Sequence, residues 1–126
     1  MKKNILLLVI SLTFLNCSSS DENVSDNSLI GTWKQTKLLI NGNESQYECI
    51  EKNYIKFSEN NSLEWARHLN PDCNLDEGTP YIGTWNKINE TNYSFKTDEN
   101  FVLKLINNTI EIQEENDDSR KWIFKK

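Results

Sequence analysis

This chain of 126 residues has little of what the common enzyme and nucleic-acid-binding motifs require. Its one histidine, His68, excludes a metal site built from several histidines. Four scattered glycines cannot form a Gly-rich phosphate loop. The formal net charge of −5 argues against a nucleic-acid partner, whose phosphates attract basic surfaces. No apolar run reaches the roughly 20 residues that a membrane-spanning helix needs. The length and composition are those of a single globular domain, which follows an N-terminal segment of different composition.

The N-terminus has the pattern of a secretory signal peptide over residues 1–16. Lys2 and Lys3 form a positive start, and the apolar run 5–15 is too short to cross a bilayer. The run ends in FLNC, which resembles the lipobox of bacterial lipoproteins. That resemblance implies cleavage before Cys17 and attachment of acyl chains such as palmitate to Cys17, where several chains make a firm anchor. The alternative is an ordinary secreted protein with a spare cysteine.

Residues 17–28 contain the lipidated Cys17 and a short polar segment. This segment has one apolar residue, Val24, and cannot bury enough surface to offset its ordering entropy, so we expect a flexible tether. Asp21-Glu22 resembles the export signals of some surface lipoproteins of Gram-negative bacteria, although a solvated linker needs the same residues. We therefore expect a protein of the cell envelope, anchored in the outer membrane with its periplasmic or cell-surface orientation open.

The two remaining cysteines, Cys49 and Cys73, are an even number in an exported chain, which favours a disulfide. A metal site would need more ligands, and a redox pair more often has the CxxC spacing. A bridge between them closes a loop whose chain entropy is worth roughly 3 kcal/mol. We predict a structural disulfide.

Period-2 runs of apolar residues between Asn-, Asp- and Gly-rich turns predict eight strands in residues 29–126. Short turns between the last five strands require antiparallel neighbours. The predicted strands are 30–40, 53–58, 63–69, 81–88, 92–97, 101–106, 109–114 and 120–125.

Strand register can also be predicted, because a slip of one residue moves every side chain to the other face. The predicted pairs are Trp85 with Phe95, Phe95 with Leu103, Leu105 with Ile110, Ile112 with Trp122, and Phe57 with Trp65. These registers place the bulky side chains of the last five strands on a single face, and bring Cys49 opposite Cys73.

A meander of eight strands with one apolar face can split into a sandwich or close into a barrel, which removes its edges. The order of the chain's parts resembles the lipocalin-like domain lipoproteins of Gram-negative bacteria. The resemblance rests on the lipobox, an acidic Ser-rich tether, LIGTWK at 29–34, the two cysteines flanking YIKFSENNSL, GTWN at 83–86 and TIEIQ at 109–113. It implies an all-β, eight-stranded, up-and-down antiparallel barrel in which Trp33 closes one end. By the same analogy, Arg120 could pack on Trp33.

The resemblance also implies that the protein binds a small hydrophobic molecule in or at the mouth of the barrel. The candidate lining residues are Trp33, Phe57, Trp65, Trp85, Phe95 and Phe101. The same aromatics could instead fill the barrel, which would leave a non-enzymatic envelope module that interacts with a protein partner, as yet unknown.

Chemistry beyond binding has little support in the sequence. His68 is predicted on the outer face, and no nucleophile-elbow sequence accompanies it. Asp72, Asp76 and Glu77 could offer oxygen ligands to Ca²⁺, but an acidic solvated loop explains them as well. We therefore expect no enzyme activity, no cofactor and no metal.

Overall fold

The computed structural model describes residues 29–46 and 49–126; the signal peptide, Cys17 and the tether lie outside the described residues. Two 3₁₀ turns, Ile50–Lys52 and Asp76–Gly78, interrupt a chain that is otherwise strand and turn in the described part. The strands are β1 (Gly31–Ile40), β2 (Asn43–Glu44), β3 (Tyr54–Phe57), β4 (Ser62–Ala66), β5 (His68–Leu69), β6 (Asn74–Leu75), β7 (Tyr81–Lys87), β8 (Asn92–Lys96), β9 (Asn100–Ile106), β10 (Thr109–Glu114) and β11 (Asp117–Lys125).

Eight of these strands form a closed antiparallel barrel, which confirms the predicted fold class. The strand order is β11-β10-β9-β8-β7-β4-β3-β1, and pairing of β1 with β11 closes the sheet. The short β2 extends one end of β1, while β5 and β6 form a separate two-stranded ribbon. The barrel leaves no free edge along most of its height, so the row of unpaired backbone groups that invites aggregation is removed.

The registers of the last three strands and of β7 with β8 are confirmed. Trp85 pairs with Phe95, Leu105 with Ile110, and Ile112 with Trp122. The inward side chains of all eight strands converge on one core, as the alternation predicts. That core is Leu29, Trp33, Ile55, Phe57, Leu63, Trp65, Trp85, Tyr93, Phe95, Phe101, Leu103, Leu105, Ile110, Ile112, Trp122 and Phe124.

Two predicted registers are wrong by two residues. Trp65 pairs with Ile55 instead of Phe57, because the turn after β3 closes through the Asn61 N–H on the Ser58 carbonyl, with Asn61 in a left-handed conformation. Phe95 likewise pairs with Phe101 instead of Leu103. A shift of two keeps every side chain on its face, so the core is unchanged.

The predicted strand over 63–69 breaks at Arg67. The main chain leaves the barrel there, and the His68 N–H donates to Asn53 Oδ1 at 2.7 Å instead of continuing the ladder. The break corrects the expectation that His68 lies on the outer face of the barrel: its side chain is half-buried beside Asn53.

The two Gly-Thr-Trp sequences need glycine for different reasons. Gly31 has a φ of +124°, which L side chains rarely adopt. Gly83 has no such φ, but a Cβ there would lie 2.0 Å from the main-chain oxygen of Lys96 on β8. The repeated tripeptide therefore marks a backbone requirement at one strand and a close strand approach at the other.

Candidate functional site

The six aromatic residues predicted to line a ligand cavity fill the barrel interior. Trp33, Phe57, Trp65, Trp85, Phe95 and Phe101 are each at most 7% exposed. Trp65 lies at the centre, with ring centroids 5.1 Å from Phe101, 5.4 Å from Trp122 and 5.8 Å from Phe95. Phe95 and Phe101 stack at 4.9 Å. These six residues pack mainly against one another and the rest of the core, and their contact with a ligand stays a prediction.

One end of the barrel is closed by Trp33. Its indole Nε1 donates to the Leu29 carbonyl at 2.8 Å, and Lys126 Nζ lies 5.2 Å from the centre of a Trp33 ring. Lys126 Nζ also donates to the Ile30 carbonyl at 2.6 Å. The expectation that Arg120 packs on Trp33 is therefore wrong. Arg120 pairs with Ile40 at the far end of β1, seven residues and about 23 Å along the strand from Trp33.

The other end, which we call the mouth, holds an open cleft of about 350 Å³. It lies among the ends of β1 and β11, the chain after β2, the Arg67 break and β5. Its lining mixes apolar, amide and basic side chains: Gln35, Leu38, Ile40, Ser45, Gln46, Asn53, Arg67, Leu69, Asn70, Arg120 and Trp122. None of the six predicted ligand residues is among them.

Arg67 is the functional candidate that the sequence prediction missed. Its guanidinium carbon lies 5.2 Å from the Trp65 ring centre, 5.5 Å from that of Trp122 and 5.6 Å from that of Tyr81. Cations over aromatic faces are attracted by the ring quadrupole, so these three rings hold the arginine in place. The sequence contained a signal, because Arg67 occupies an inward position in the alternation with Trp65, where a charge is unexpected.

The ring of Tyr81, one of these three, is held by a side chain that lies outside the cleft. Its hydroxyl donates to Asp76 Oδ2 at 2.7 Å. Burial, and next this hydrogen bond, raise the pKa of Tyr81 to about 12, although the Arg67 charge opposes the shift. Tyr81 is therefore a neutral phenol at physiological pH, and Asp76 is engaged with it.

A buried polar network forms one wall of the mouth. Asn53 is 3% exposed, and its Nδ2 donates to Gln35 Oε1 at 2.9 Å. Its Oδ1 also accepts from the His68 main chain and lies 3.0 Å from His68 Nδ1, which is consistent with a protonated Nδ1. Burial, with a contribution from the Lys52 charge, lowers the pKa of His68 and favours the neutral ring. The network fixes the chain on both sides of the Arg67 break.

The predicted disulfide between Cys49 and Cys73 is confirmed, with a Cα–Cα distance of 5.3 Å. The two cysteines do not pair in an extension of the β3–β4 strand ladder, as the predicted register required. The Cys73 N–H instead donates to the Leu69 carbonyl at 2.8 Å in the β5–β6 turn. The bridge thus joins the two excursions of the chain that build the cleft, one before β3 and one after β4.

No carboxylate is among the described residues that line the cleft. Burial raises the pKa of Glu114, and the charges of Glu99 and Asp117 add to the shift. Asp72 is exposed in the turn between β5 and β6, and Asp76 and Glu77 lie in the 3₁₀ turn after β6, where Asp76 is half-buried. Among residues 29–46 and 49–126, no three His, Cys, Asp or Glu side chains come together as a metal site would require.

Comparison with known proteins gives this chain no family. No family model matches it, and no solved structure matches it. A 48-residue stretch, 38% of the chain, is 33% identical to Protein GAMETE EXPRESSED 3 of Arabidopsis thaliana, and the match spans only 8% of that protein's length. Within the described part of the chain, no helix has the length and apolarity to span a membrane.

Proposed function

We propose that this protein is a lipid-anchored envelope protein, similar to the lipocalin-like lipoproteins, whose barrel mouth binds a small molecule with an apolar body. The observation that carries the proposal is the cleft of about 350 Å³ at one end of a barrel that is otherwise filled. Small-molecule sites are concave, mix apolar walls with a few polar groups, and commonly occupy about 300–1,000 Å³. The proposal is one of binding, not of catalysis.

The place where the described part of the chain begins supports this arrangement. Leu29, the first described residue, is buried against Trp33 at the closed end, and the cleft is at the opposite end. An anchor at Cys17 would then leave the mouth accessible to molecules from the aqueous side. The anchor is a separate element of the proposal and rests on the lipobox resemblance.

The anchor is tested by a Cys17→Ser variant of the full chain, expressed in a Gram-negative host. The parent should fractionate with the outer membrane and incorporate labelled palmitate, whereas the variant should do neither. A variant that stays in the membrane fraction and still incorporates label would refute lipidation at Cys17.

Binding is tested by native mass spectrometry of the parent protein, extracted from the membrane with a mild detergent. We expect a bound species of a few hundred daltons, which is lost when the mouth is blocked by an Ser45→Trp substitution. A parent without bound species, which also fails to bind any added amphiphile, would contradict the proposal.

The filled interior favours a second candidate, a module that meets a protein partner through its outer surface. Ile82 and Ile88, which are 69% and 61% exposed, are the outer side chains that would serve it. Ile82→Ser would then weaken capture of that partner, whereas the mouth substitution Ser45→Trp would leave it intact.

A further inference from the structure

Among the described residues that line the mouth cleft, two have charged side chains, and both are arginines. Arg67 is half-buried and Arg120 is exposed. Neither guanidinium forms an ion pair within the described residues. Ion pairs there join Lys87 with Glu90 and Lys121 with Glu111. The cleft is therefore a basic recess in a chain whose formal net charge is −5.

The acidic residues whose charges reach the arginines lie outside the cleft. Asp76 accepts the Tyr81 hydroxyl, whereas Glu114 ends β10 and Asp117 begins β11, where their charges act on each other and on that of Arg120. None of the three lines the cleft.

The stacking of Arg67 prepares it to bind an oxyanion. A guanidinium held by its face against aromatic rings keeps its in-plane N–H groups available for acceptors, and its fork matches the geometry of a carboxylate or phosphate. Three rings within 5.6 Å fix the position of Arg67, so little side-chain entropy remains to be lost on binding.

The same cleft has an apolar lip. Ile40 is 39% exposed and Leu69 is 48% exposed, and both line the cleft together with Leu38 and the edge of Trp122. Of the five large apolar side chains that are exposed in the described residues, two are therefore on this one recess. Exposed apolar side chains gathered at a cleft are typical of a surface that is covered when a ligand binds.

We infer that the ligand is a small amphipathic anion, which rests on the proposed function of binding at the mouth. Arg67 and Arg120 bind its single carboxylate, sulfate or phosphate monoester head. Leu38, Ile40, Leu69 and Trp122 cover its apolar body. Carboxylate and phosphate heads share this chemistry, and the test below separates them.

The test titrates the purified full chain with decyl compounds below their micellar concentrations, followed by calorimetry. Decanoate and decyl phosphate represent the two head groups, decan-1-ol the neutral body, and decyltrimethylammonium the opposite charge. We expect an anion to bind at least about ten-fold more tightly than decan-1-ol, as charge-assisted hydrogen bonds require, and the cation not to bind.

The arginines are tested by Arg120→Gln and Arg67→Gln, with Lys56→Gln on the outer wall of β3 as the matched control. Each arginine variant should weaken anion binding about ten-fold or more, and the control should change it less than about two-fold. Because Arg67 covers core rings, its variant is read together with Arg67→Lys and with its melting temperature. Arg120 is exposed, so Arg120→Gln carries the test if Arg67→Gln does not fold.

The site is located by the four indole N–H signals in a nitrogen–proton correlation spectrum. The anion should shift the signal of Trp122 and leave that of Trp33, at the closed end, in place. If decan-1-ol binds as tightly as the anions and the arginine variants bind normally, the inference is wrong while binding at the mouth stands. If no decyl compound binds up to its solubility, both fail.

Discussion

Two buried tryptophans differ in a way that allows a matched test of the core. Trp33 and Trp65 are 1% and 0% exposed, and each has a cation 5.2 Å from a ring centre. The indole N–H of Trp33 donates to the Leu29 carbonyl at 2.8 Å. The indole N–H of Trp65 is buried and has no acceptor among the described residues. We predict that Trp65→Phe destabilises the protein less than Trp33→Phe.

The magnitude follows from the two N–H groups. Both substitutions remove similar volume and similar apolar area from a filled core, so those losses largely cancel in the comparison. Trp33→Phe also leaves a buried carbonyl without its donor, at a cost of about 1–3 kcal/mol. Trp65→Phe removes an unpaired donor, which relieves a penalty of similar size. The variants should therefore differ by at least about 2 kcal/mol, or about 8 °C in melting temperature for a domain of this size.

The assay is urea unfolding followed by far-ultraviolet circular dichroism, which does not depend on tryptophan fluorescence. The slopes with denaturant should be equal, so that midpoints report stability alone. Equal stability of the two variants, or a larger loss for Trp65→Phe, would refute the reasoning that the hydrogen-bonding state of these rings separates them.

Three further predictions concern the frame of the barrel. Gly83→Ala should lower the melting temperature by about 12 °C or more, because the new Cβ would clash with the main-chain oxygen of Lys96 and moving that strand apart would cost about 3 kcal/mol or more. An unchanged melting curve in calorimetry would exclude the clash. The double variant Cys49→Ser, Cys73→Ser should lose roughly 3 kcal/mol in oxidising buffer, and a parent that melts equally with and without reductant would count against this contribution. Burial and the Lys52 charge lower the folded-state pKa of His68 below its usual 6.5, so its contribution to stability is complete above pH 6.5 and is lost as the pH falls through and below that value. The melting temperature of the parent minus that of His68→Gln should therefore be smaller at pH 5 than at pH 7.5. A difference in melting temperature that is the same at both pH values would contradict the lowered pKa.

The alternation of apolar and polar side chains predicts the barrel well because a sheet repeats every two residues. The same repeat conceals a register error of two, since Trp65 lies on the inner face whether it pairs with Phe57 or with Ile55. What decides between these registers is the conformation of the turn, in which Asn61 takes a positive φ. Asparagine makes that conformation accessible but does not require it.

The mouth was harder to predict because its parts come from distant segments. Leu38, Arg67 and Trp122 lie on three different strands or strand ends, and only the closed barrel brings them together. Trp122 was predicted as core, which is correct, yet it also lines the cleft. The break at Arg67 follows from tertiary hydrogen bonds, above all that of the His68 main chain to Asn53, which local residue preferences do not contain.

The two ends of the barrel place a cation over tryptophan with different consequences. At the closed end, Lys126 lies over Trp33 and donates to the Ile30 carbonyl, so its charge is satisfied by the main chain beside it. At the mouth, Arg67 lies over Trp65 and Trp122, and its guanidinium borders an open cleft instead. Because the centre between them is filled with aromatic rings, a ligand could enter the barrel interior only by displacing the core, whereas the mouth can hold one without moving these rings. Displacing even one of these rings would cost several kcal/mol, whereas the cleft exists already, and this difference is why the proposed binding is placed on Arg67 and not in the interior.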